Sequence, residues 1–408
     1  MMQYKKQYDV VVAGAGVAGV AAALAAARHG KKVALLEKQS IIGGLATSGL
    51  VFIYLPLCDG MGRQCTFGIA EELLKLSMKY SPCDLPVAWG GPEGGFTGFN
   101  AGNRYQVIFS PAGFTIAMDG ALQEAGVDLW LDTLVCAANT NSDSAIESVE
   151  VENLSGRGLI AAQCFIDTTG TAALARQAGA EVETMDNCHS PWIIEKSTGQ
   201  TAYSLEPHLG VKYFRLCNGA NSVSNVLDAK THTKYLRLTW AEARQFYDEE
   251  YANGGDRHTH YPLILPGMSQ LRKVGRIVGK TTLRDGENSK HFDDSIGLYA
   301  DWRKSNSIWE TPYGTLIPAK VRHLLAAGRC MSTENDAWEC FRVIPSAAMT
   351  GEVAGTAAAL SIEAKCDPAD LDVEILRCEL RKNGFLFHLE ELPRLGNTTD
   401  NQSCGSNA

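Results

Sequence analysis

The sequence predicts an α/β fold with a parallel sheet, accompanied by an antiparallel meander and by a second region of mixed α+β structure. Residues 9–38, DVVVAGAGVAGVAAALAAARHGKKVALLEK, have the order of a buried strand, a glycine turn, a helix and a second strand. Residues 127–170 contain three segments of strand composition, separated by the turn-like stretches NTNSDS and SGRG. The alanine-rich style of the first half returns at about Tyr313, so we expect the α/β domain to be discontinuous in sequence.

The uncharged run Val10–Ala27 has two possible explanations, an apolar membrane or export segment and a turn that binds a nucleotide. Gly14, Gly16 and Gly19 interrupt the run at the spacing G-x-G-x-x-G, and each glycine weakens a helix by about 1 kcal/mol relative to alanine. Between a strand and a helix, the first two glycines permit a tight turn close to a pyrophosphate, and the third lets the helix pack on the strand. The glycines therefore favour the nucleotide site, and we expect no integral membrane segment.

The elements around these glycines are those of a dinucleotide-binding unit. Tyr8–Ala13 is predicted as the first strand, the helix is predicted to end at Gly30, and Lys31–Leu36 is predicted as the second strand. Glu37 follows that strand, about twenty residues after the glycines, where an acidic side chain accepts hydrogen bonds from a ribose. The segment thus predicts a site for the pyrophosphate and one ribose of a dinucleotide.

Hydrophobic spacing and turn residues predict further elements. Helices are expected at Ile69–Tyr80, at Pro111–Ala125, at residues 239–255 and just after Pro345, and a short strand is expected at Leu324–Ala327. The helix at residues 239–255 carries a stripe that indicates core packing, formed by Trp240, Ala243, Phe246 or Tyr247, and Tyr251. Residues 81–103 are rich in Gly and Pro, so regular structure is expected to lapse there.

The changes of style along the chain predict its domain organisation. We expect the α/β domain to take residues 1–182 and to resume at residues 286–365. Residues 183–285, with more aromatic and His residues and longer polar turns, are expected to form the second domain. Residues 366–408 are expected to form a C-terminal helix and a flexible tail.

Composition excludes several classes of function. The chain has 408 residues, a formal net charge of −9 and a pI of about 5.6, and it contains no dense basic block, so binding to nucleic acid is not expected. Its twelve cysteines include no C-x-x-C pair, which disfavours a dithiol redox pair, a zinc ribbon and an iron–sulfur cluster. Dispersed thiols in a chain of this size indicate a reducing, cytoplasmic location.

Several separated segments resemble the FAD-dependent oxidoreductases that have a glutathione-reductase-type, Rossmann-like flavin domain, and most closely a branch of bacterial proteins of largely unassigned substrate. The matching segments are residues 9–38 with the loop GGLATSG, then FIDTTG, RKVGRIVGKTTLRDGE, PYGTLIPAKVRHLLAAGRCMS and FRVIPSAAMTGEVAGTAAAL. The combination is far more specific than any one segment. The resemblance implies a bound FAD and a substrate domain that is mixed α+β.

The resemblance also implies roles for individual residues. Gly14, Gly16 and Gly19 would hold the FAD pyrophosphate, and Glu37 the adenosine ribose. The remaining expected contacts with the cofactor are made by Lys38, Gly44, Leu45, Thr47, Val135, Gly170, Gly328 and Arg329. Arg329 departs from the family pattern, because many flavoproteins carry Asp at this position.

The helix expected after Pro345 predicts a second contact with the cofactor. Its first backbone N–H groups, at Ser346, Ala347, Ala348 and Met349, carry the positive end of the helix dipole. A reduced flavin develops negative charge on one ring edge, and a helix N-terminus directed at it would contribute about 0.3–2 kcal/mol. Gly351 and Gly355, one turn apart, would let this helix lie close to the first helix or to the cofactor.

The expected chemistry is hydride exchange between the flavin N5 and a small organic substrate bound between the two domains. The chain has no second G-x-G-x-x-G between a strand and a helix, so an external electron donor or acceptor is expected. Two alternatives stay open, an NAD-dependent dehydrogenase with the same fold and a non-catalytic electron relay. The candidate catalytic residues are His260 and Tyr261 as proton donors and Arg272 and Arg276 as ligands of a substrate carboxylate. No metal site is expected, because the pair His258 and His260 has no evident third ligand.

Overall fold

The computed structural model describes residues 2–82, 84, 107–187, 191–199, 204–206, 209–214 and 223–394. Its helices are α1 (Val17–Arg28), α2 (Ile69–Met78), α3 (Pro111–Glu124), α4 (Ala173–Gln177), α5 (Ala229–Ala252), α6 (Asn335–Phe341), α7 (Ile344–Ala364) and α8 (Val373–Arg381). Its strands to residue 167 are β1 (Tyr4–Gln7), β2 (Val10–Ala13), β3 (Val33–Leu36), β4 (Ile53–Tyr54), β5 (Val107–Ile108), β6 (Asp128–Trp130), β7 (Leu134–Thr140), β8 (Ile146–Asn153), β9 (Gly156–Ala161) and β10 (Cys164–Asp167). The later strands are β11 (Val182–Glu183), β12 (Trp192–Lys196), β13 (Ser204–Glu206), β14 (Leu209–Tyr213), β15 (Tyr261–Ile264), β16 (Arg276–Ile277), β17 (Ser295–Ala300), β18 (Ile308–Pro312) and β19 (Leu324–Ala326).

A five-stranded parallel sheet is the centre of the α/β fold. Its order is β19-β10-β2-β3-β6, and every neighbouring pair is parallel. Every residue of β2, β3, β10 and β19 is buried, as expected for parallel strands covered on both faces. The predicted α/β class with a parallel sheet is confirmed. Because β19 comes from a segment far along the chain from β2, the sheet is discontinuous in sequence.

Helices α1 and α7 lie side by side against this sheet. Both have small residues where they meet, and the backbone of α7 contacts the backbone of α1 at Gly351 and Gly355. A Cβ atom at Gly355 would lie 2.2 Å from the carbonyl oxygen of Ala22. The prediction that these two glycines permit close approach to the first helix is therefore confirmed. The helix itself begins at Ile344, two residues earlier than predicted, because Pro345 is accommodated inside the first turn.

A four-stranded sheet of order β1-β9-β8-β7 lies beside the parallel sheet. Strands β7, β8 and β9 form the predicted antiparallel meander, and β1 adds a parallel edge strand that was not predicted from the sequence. The segments predicted as the ends of the meander belong elsewhere, since β6 and β10 pair in the parallel sheet. Strand composition gives the presence of a strand but not its partner, which depends on long-range contacts.

The second region contains a sheet of order β13-β14-β12-β15, against which α5 packs. Ile193 and Phe214 contact Ala243 and Tyr247 of α5 in a small separate core. The helix is longer than predicted and begins at Ala229, with the carboxylate of Asp228 as its N-cap. Trp240 is 40% exposed, so the prediction that it shares the buried stripe is wrong.

Two predicted irregular segments, most of residues 81–103 and the tail beyond residue 395, lie outside the described residues. Within the described part of the chain, no helix combines the length and the apolar character needed to cross a membrane.

Candidate cofactor site

A cleft runs along the carboxyl ends of the parallel strands, where ligands of open α/β sheets bind. One wall comes from the parallel-sheet domain, with the turn after β2, the end of β3, the loop after β10 and the start of α7. The opposite wall comes from the second region, with His232 of α5 and Met268, Ser269, Leu271 and Val274. The cleft therefore lies between the two parts of the chain.

The glycine turn after β2 brings backbone to the floor of the cleft. Gly14 has a φ of +97°, and a Cβ atom there would lie 2.8 Å from the carbonyl oxygen of Thr168. Gly19 has no room for a side chain, because a Cβ atom would lie 1.9 Å from the carbonyl oxygen of Gly14. A Cβ atom at Gly16 would meet no heavy atom within 4 Å, and this residue lines the cleft. Two glycines thus shape the turn, and the one between them leaves space for a ligand.

Glu37 lies at the end of β3, and its carboxylate is fixed beside the turn. The backbone N–H of Ala15 donates to one carboxylate oxygen at 2.8 Å, and that of Gln39 donates to the other at 3.0 Å. Burial raises the pKa of Glu37, and these two hydrogen bonds oppose the rise. Lys38 and Val135, which were predicted to flank the adenine end, line the same part of the cleft.

The loop GGLATSG forms the next part of the wall. Gly44 and Leu45 line the cleft, and Gly44 approaches the turn so closely that a Cβ atom would lie 3.2 Å from Cα of Gly16. Thr47 is buried and is not among the cleft-lining residues. Its hydroxyl donates to the carbonyl oxygen of Ile42 at 2.5 Å, so the side chain holds the shape of the loop.

Buried side chains hold the loop after β10 against the cleft. Asp167 accepts hydrogen bonds from the backbone N–H groups of Thr169 and Ala175, and burial raises its pKa. The thiol of Cys330 accepts from the N–H of Gly170 at 3.1 Å and from that of Ala172 at 3.3 Å. Residues Thr168–Thr171 then line the cleft.

The beginning of α7 forms the far wall. Val343, Ile344 and Ala347 line the cleft, while Ser346, Ala348 and Met349 are buried and are not among its lining residues. The hydroxyl of Ser346 donates to the carbonyl oxygen of Val343 at 3.1 Å, so this side chain is directed back to its own helix cap. Because α7 begins at Ile344, the first-turn N–H groups without an intrahelical acceptor are those of Ile344 and Ser346, and Pro345 has none. The N–H of Ala347 donates to the carbonyl oxygen of Val343 at 2.9 Å, so the prediction of free N–H groups at Ala347, Ala348 and Met349 is wrong. The beginnings of α1 and α7 nevertheless share one cleft.

Three arginines form a positively charged cluster at the junction of the two parts of the chain. Arg329 and Arg342 line the cleft, and one guanidinium N–H of Arg329 donates to the carbonyl oxygen of Leu271 at 2.9 Å. Arg272 is 7% exposed, and its Nη1 has no hydrogen-bond partner among the described residues. Burial and, to a smaller extent, repulsion by Arg342 lower the pKa of Arg272 to about 9. The Arg272 guanidinium therefore stays charged at neutral pH. Its Cζ lies 5.6 Å from the centre of the Trp192 ring, which is a cation–π contact.

Of the four side chains predicted as catalytic, only Arg272 belongs to this cluster. His260 lies between α5 and the neighbouring sheet, with Nε2 3.1 Å from the carboxylate of Glu195. Tyr261 is in β15 and pairs with Lys196 of β12. Arg276 is buried among Glu183, Glu334 and Ser332. Arg272 is not itself among the residues that line the cleft, although its neighbours Leu271, Arg329 and Arg342 are. His260, Tyr261 and Arg276 are not among them either. Catalytic roles for them stay predictions, and their positions give those roles no support.

Several cleft residues were not identified from the sequence. They are His232, Met268, Ser269, Leu271, Arg342, Val343 and Ile344. Arg342–Ile344 lie just before Pro345, and a predicted helix that started at Ile344 would have included Ile344 but neither Arg342 nor Val343. His232 and Met268 carry no local signal, because the contact between α5 and the cleft is long-range.

The parallel sheet and the cleft define an α/β protein with a site for a dinucleotide. Comparison with known families gives the specific class, since the family described as FAD dependent oxidoreductase matches residues 9–264 and 266–380. The chain belongs to this family of flavin enzymes, and FAD is its cofactor.

Individual proteins match this chain over shorter stretches than the family model does. The chain is 30% identical over 166 residues to a vinyl phenol reductase of Lactiplantibacillus plantarum, a match that covers 36% of this chain and 34% of that protein. It is 28% identical over 186 residues to a digeranylgeranylglycerophospholipid reductase of Methanoculleus marisnigri, which covers 43% of this chain and 42% of the relative. The chain thus matches less than half the length of these relatives. The structure of p-nitrophenol 4-monooxygenase from Pseudomonas putida has a TM-score of 0.51 at 11% identity, covering 91% of this chain and 83% of that one, and shows likeness of fold alone.

The residues of the cleft fit FAD. The turn at Gly16 leaves open space at a helix N-terminus, which suits a pyrophosphate, and the fixed carboxylate of Glu37 suits a ribose. Gly44 and Gly328 also line the cleft, and their left-handed backbone, with φ of +56° and +62°, favours glycine at both positions. A Cβ atom at Gly328 would lie 2.9 Å from Cβ of Ala18 in α1, so glycine there lets this loop approach α1 closely. Arg329 stands where many flavoproteins carry Asp, and its guanidinium lies against Gly170, where a Cβ atom would be 2.2 Å from Nη2.

Proposed function

We propose that this protein exchanges a hydride between the flavin N5 and a small organic anion that binds between the parallel-sheet domain and a mixed α+β substrate domain. When bound, FAD supplies the hydride chemistry at its ring. The observation that carries the proposal is the composition of the cleft, whose walls come from both parts of the chain. A ligand between these walls is enclosed by protein on two sides, which restricts access of water.

We assign the two ends of the cofactor to the two helix N-termini that share the cleft. Gly14, Gly16 and the start of α1 would hold the pyrophosphate, with Glu37 on the ribose and Val135 near the adenine. The N-terminus of α7, at Ile344 and Ala347, would face the negatively charged edge of the reduced ring. The close contact of α1 and α7 supports this assignment, because it fixes the separation of the two N-termini.

The charge of the arginine cluster supports an anionic substrate. Arg272, Lys273, Arg329 and Arg342 contribute four positive charges, and Glu339 is the carboxylate that pairs with Lys273 and Arg342, at 2.6 Å and 2.5 Å. No carboxylate within the described residues forms an ion pair with Arg272 or Arg329. A buried guanidinium with an unpartnered N–H group costs free energy unless an anion reaches it. A substrate carboxylate at Arg272 would provide that partner.

His232 is our candidate for the residue that moves a proton. It lines the cleft, and its Nε2 lies 2.5 Å from the carbonyl oxygen of Val226. If Nε2 carries the proton of this hydrogen bond, Nδ1 is left as the atom that exchanges a proton with a ligand. A substrate that gains a hydride also needs a proton, and histidine is the side chain best suited to supply it near neutral pH. The two relatives compared above, from Lactiplantibacillus plantarum and Methanoculleus marisnigri, are both named as reductases, which favours the reducing direction.

Anaerobic reoxidation of the photoreduced holoprotein tests this function. The panel consists of enones, quinones and keto acids, each offered as a carboxylate and as its neutral ester. We expect at least one carboxylate to reoxidise the protein at least tenfold faster than its ester. The variant Arg272→Met is expected to abolish this preference, and Arg244→Met, which removes an exposed arginine of α5, is expected to keep it.

Three outcomes would contradict the proposal. If acid and ester react equally fast in the wild type and in the Arg272→Met variant, the anion site is excluded. If neither the panel compounds nor oxygen reoxidises the reduced protein, an electron relay is the better explanation of its function. A preparation that acquires no visible flavin absorption after incubation with FAD would contradict the cofactor itself.

A further inference from the structure

A second cluster of functional side chains lies outside the FAD cleft, where the C-terminal segment meets the hairpin of β17 and β18. His291 precedes β17, Glu310 is in β18, and His388 follows α8. The two imidazole rings are stacked, with centroids 4.5 Å apart and planes inclined by 28°. Nδ1 of His388 lies 3.0 Å, and Nδ1 of His291 lies 3.7 Å, from the same carboxylate oxygen of Glu310. Three potential ligand atoms thus converge from segments that are distant in sequence.

Hydrogen bonding alone does not account for this convergence. Glu310 is 1% exposed, and its Oε2 accepts a hydrogen bond from the N–H of Phe292 at 2.9 Å in addition to the contact with His388. A carboxylate oxygen has two lone-pair sites, so these two donors occupy them. The Nδ1 atom of His291, at 3.7 Å, is too far away for a third hydrogen bond.

A second carboxylate, that of Asp293, lies near the opposite side of the His291 ring. Its Oδ1 is 3.3 Å from Nε2, which is an ion-pair distance without a hydrogen bond, and the Asp293 side chain is fully exposed. Neither ring nitrogen of His291 forms a hydrogen bond among the described residues, so Nδ1 is free to bind a cation beside Glu310. A carboxylate near the outer nitrogen of an imidazole is common at metal sites, and Asp293 has this position.

We propose that a divalent transition-metal ion, with Zn²⁺ as the representative, binds between Nδ1 of His291, Nδ1 of His388 and Oε2 of Glu310. The ion replaces the proton between Nδ1 of His388 and Glu310, and this proton is released to solvent. Bonds of about 2.0–2.1 Å at tetrahedral angles separate two ligand atoms by about 3.3 Å. The observed separations of 3.0 Å and 3.7 Å from the Glu310 oxygen lie on either side of this value, and all three ligand atoms lie within 4.8 Å of one another. Two imidazole nitrogens and one carboxylate suit zinc better than magnesium or calcium, which prefer oxygen ligands.

The position of the site indicates its effect on the structure. The C-terminal segment already contacts the hairpin, because the hydroxyl of Ser295 donates to the carbonyl oxygen of Phe387 at 2.7 Å. The hairpin in turn packs on α7, where a Cβ atom at Gly297 would lie 3.0 Å from Sδ of Met349. A bound ion would therefore fasten the C-terminal segment to elements that support the helix at the flavin site. The metal site is independent of the redox reaction and of its substrate.

Zinc binding to tag-free, chelator-treated holoprotein tests the proposal. We expect isothermal titration calorimetry and elemental analysis to give one equivalent of Zn²⁺ per chain, and we expect Zn²⁺ to raise the melting temperature. His291→Ala removes an exposed ligand and is expected to weaken binding by more than about 100-fold, because loss of an outer partner alone costs about 10- to 100-fold. Asp293→Asn removes only the outer carboxylate, and about a tenfold loss is expected.

The matched control is His258→Ala, which removes an exposed histidine outside the cluster and is expected to bind Zn²⁺ like the wild type. His388→Ala is also expected to lose Zn²⁺ binding. A circular dichroism spectrum like that of the wild type shows that this loss is not caused by unfolding. The proposal is wrong if the wild type binds no Zn²⁺ in the micromolar range, or if His291→Ala binds it as tightly as His258→Ala does. The cluster then holds the two segments together without a metal ion. Loss of zinc binding with unchanged flavin reoxidation would leave the proposed redox function intact, so the two failures are distinguishable.

Discussion

Gly351 of α7 and Ala18 of α1 are in backbone contact, because a Cβ atom at Gly351 would lie 2.2 Å from the carbonyl oxygen of Ala18. The contact is one helical turn from the second approach, at Gly355 and Ala22. Since both helices begin at the cleft, these contacts fix the distance between the two N-termini that we assign to the pyrophosphate and to the flavin ring.

We therefore expect Gly351→Ala to destabilise the protein by about 1–3 kcal/mol or more, because the opposing atoms belong to backbone that cannot rotate away. Urea unfolding of the FAD-free protein measures this change. Gly120→Ala is the matched control, since Gly120 lies in the middle of α3 and a Cβ atom there would meet no heavy atom within 4 Å. This variant should be neutral or stabilising by about 0.5–1 kcal/mol. Equal losses in both variants would contradict the importance of the helix contact.

Glu37→Gln tests the ribose site. The amide retains one oxygen acceptor but loses the charge, and a hydrogen bond to a charged group contributes about 1.5–3 kcal/mol, so FAD affinity should fall about 10- to 100-fold. Quenching of flavin fluorescence during titration with the protein measures the dissociation constant. Glu363→Gln, at a side chain 52% exposed, is the control and should leave the affinity unchanged. An unaltered dissociation constant in Glu37→Gln would exclude the assigned role.

Glu352 predicts a specific pH dependence of stability. It is buried in α7, where it accepts hydrogen bonds from the N–H of Ile69 and the side chain of Asn383, and burial raises its pKa from 4.5 to about 7. Because the folded state holds the proton more tightly than the unfolded state, the contribution of this group is fully present below pH 4.5 and is lost as the pH rises through about 7. The loss is at most about 3 kcal/mol.

The variant Glu352→Gln removes this titration. Between about pH 5 and pH 8, we expect its free energy of unfolding to gain up to about 3 kcal/mol relative to the wild type. Denaturant unfolding at both pH values measures the gain, with Glu242→Gln on the exposed face of α5 as the control. The prediction fails if the difference between Glu352→Gln and the wild type is the same at both pH values.

His260→Gln separates a structural role from a catalytic one. The imidazole lies 3.1 Å from the buried carboxylate of Glu195, which also accepts a hydrogen bond from the hydroxyl of Tyr247 at 2.7 Å. Loss of one partner of a buried carboxylate should destabilise the protein by about 1–3 kcal/mol, while the rate of flavin reoxidation per bound FAD should stay unchanged. A large fall in that rate with normal stability would instead support the catalytic role predicted from the sequence.

Local patterns predicted the parts of the site that are close together in sequence. The glycine turn and Glu37 belong to one βαβ unit, where spacing specifies their positions. The loop with Gly44 and Leu45 follows this unit, and its role was implied by the family resemblance. The start of α7 was displaced by two residues because a proline is compatible with either the first or the second helical position.

The parts that were missed depend on contacts between distant segments. Arg272 and Arg329 were predicted as separate ligands, but their clustering with Arg342 was not, because Arg329 and Arg342 are more than fifty residues from Arg272 in sequence. The lack of a partner for Nη1 of Arg272 follows from this burial. His291 and His388 are separated by almost a hundred residues, so no spacing rule for metal ligands would have paired them. Strand composition also could not show that β6 and β10 join the parallel sheet.

The discontinuity of the parallel sheet has a consequence for synthesis of the protein. The first strand and glycine turn leave the ribosome early, but β19 and the N-terminus of α7 are translated only after residue 323. A nascent chain shorter than this has an exposed edge on β10 and one missing wall of the cleft, so tight capture of FAD must wait until most of the polypeptide has emerged. Such late, long-range closure is slow, and the unpaired edge of the growing sheet is a natural binding site for a chaperone during that interval.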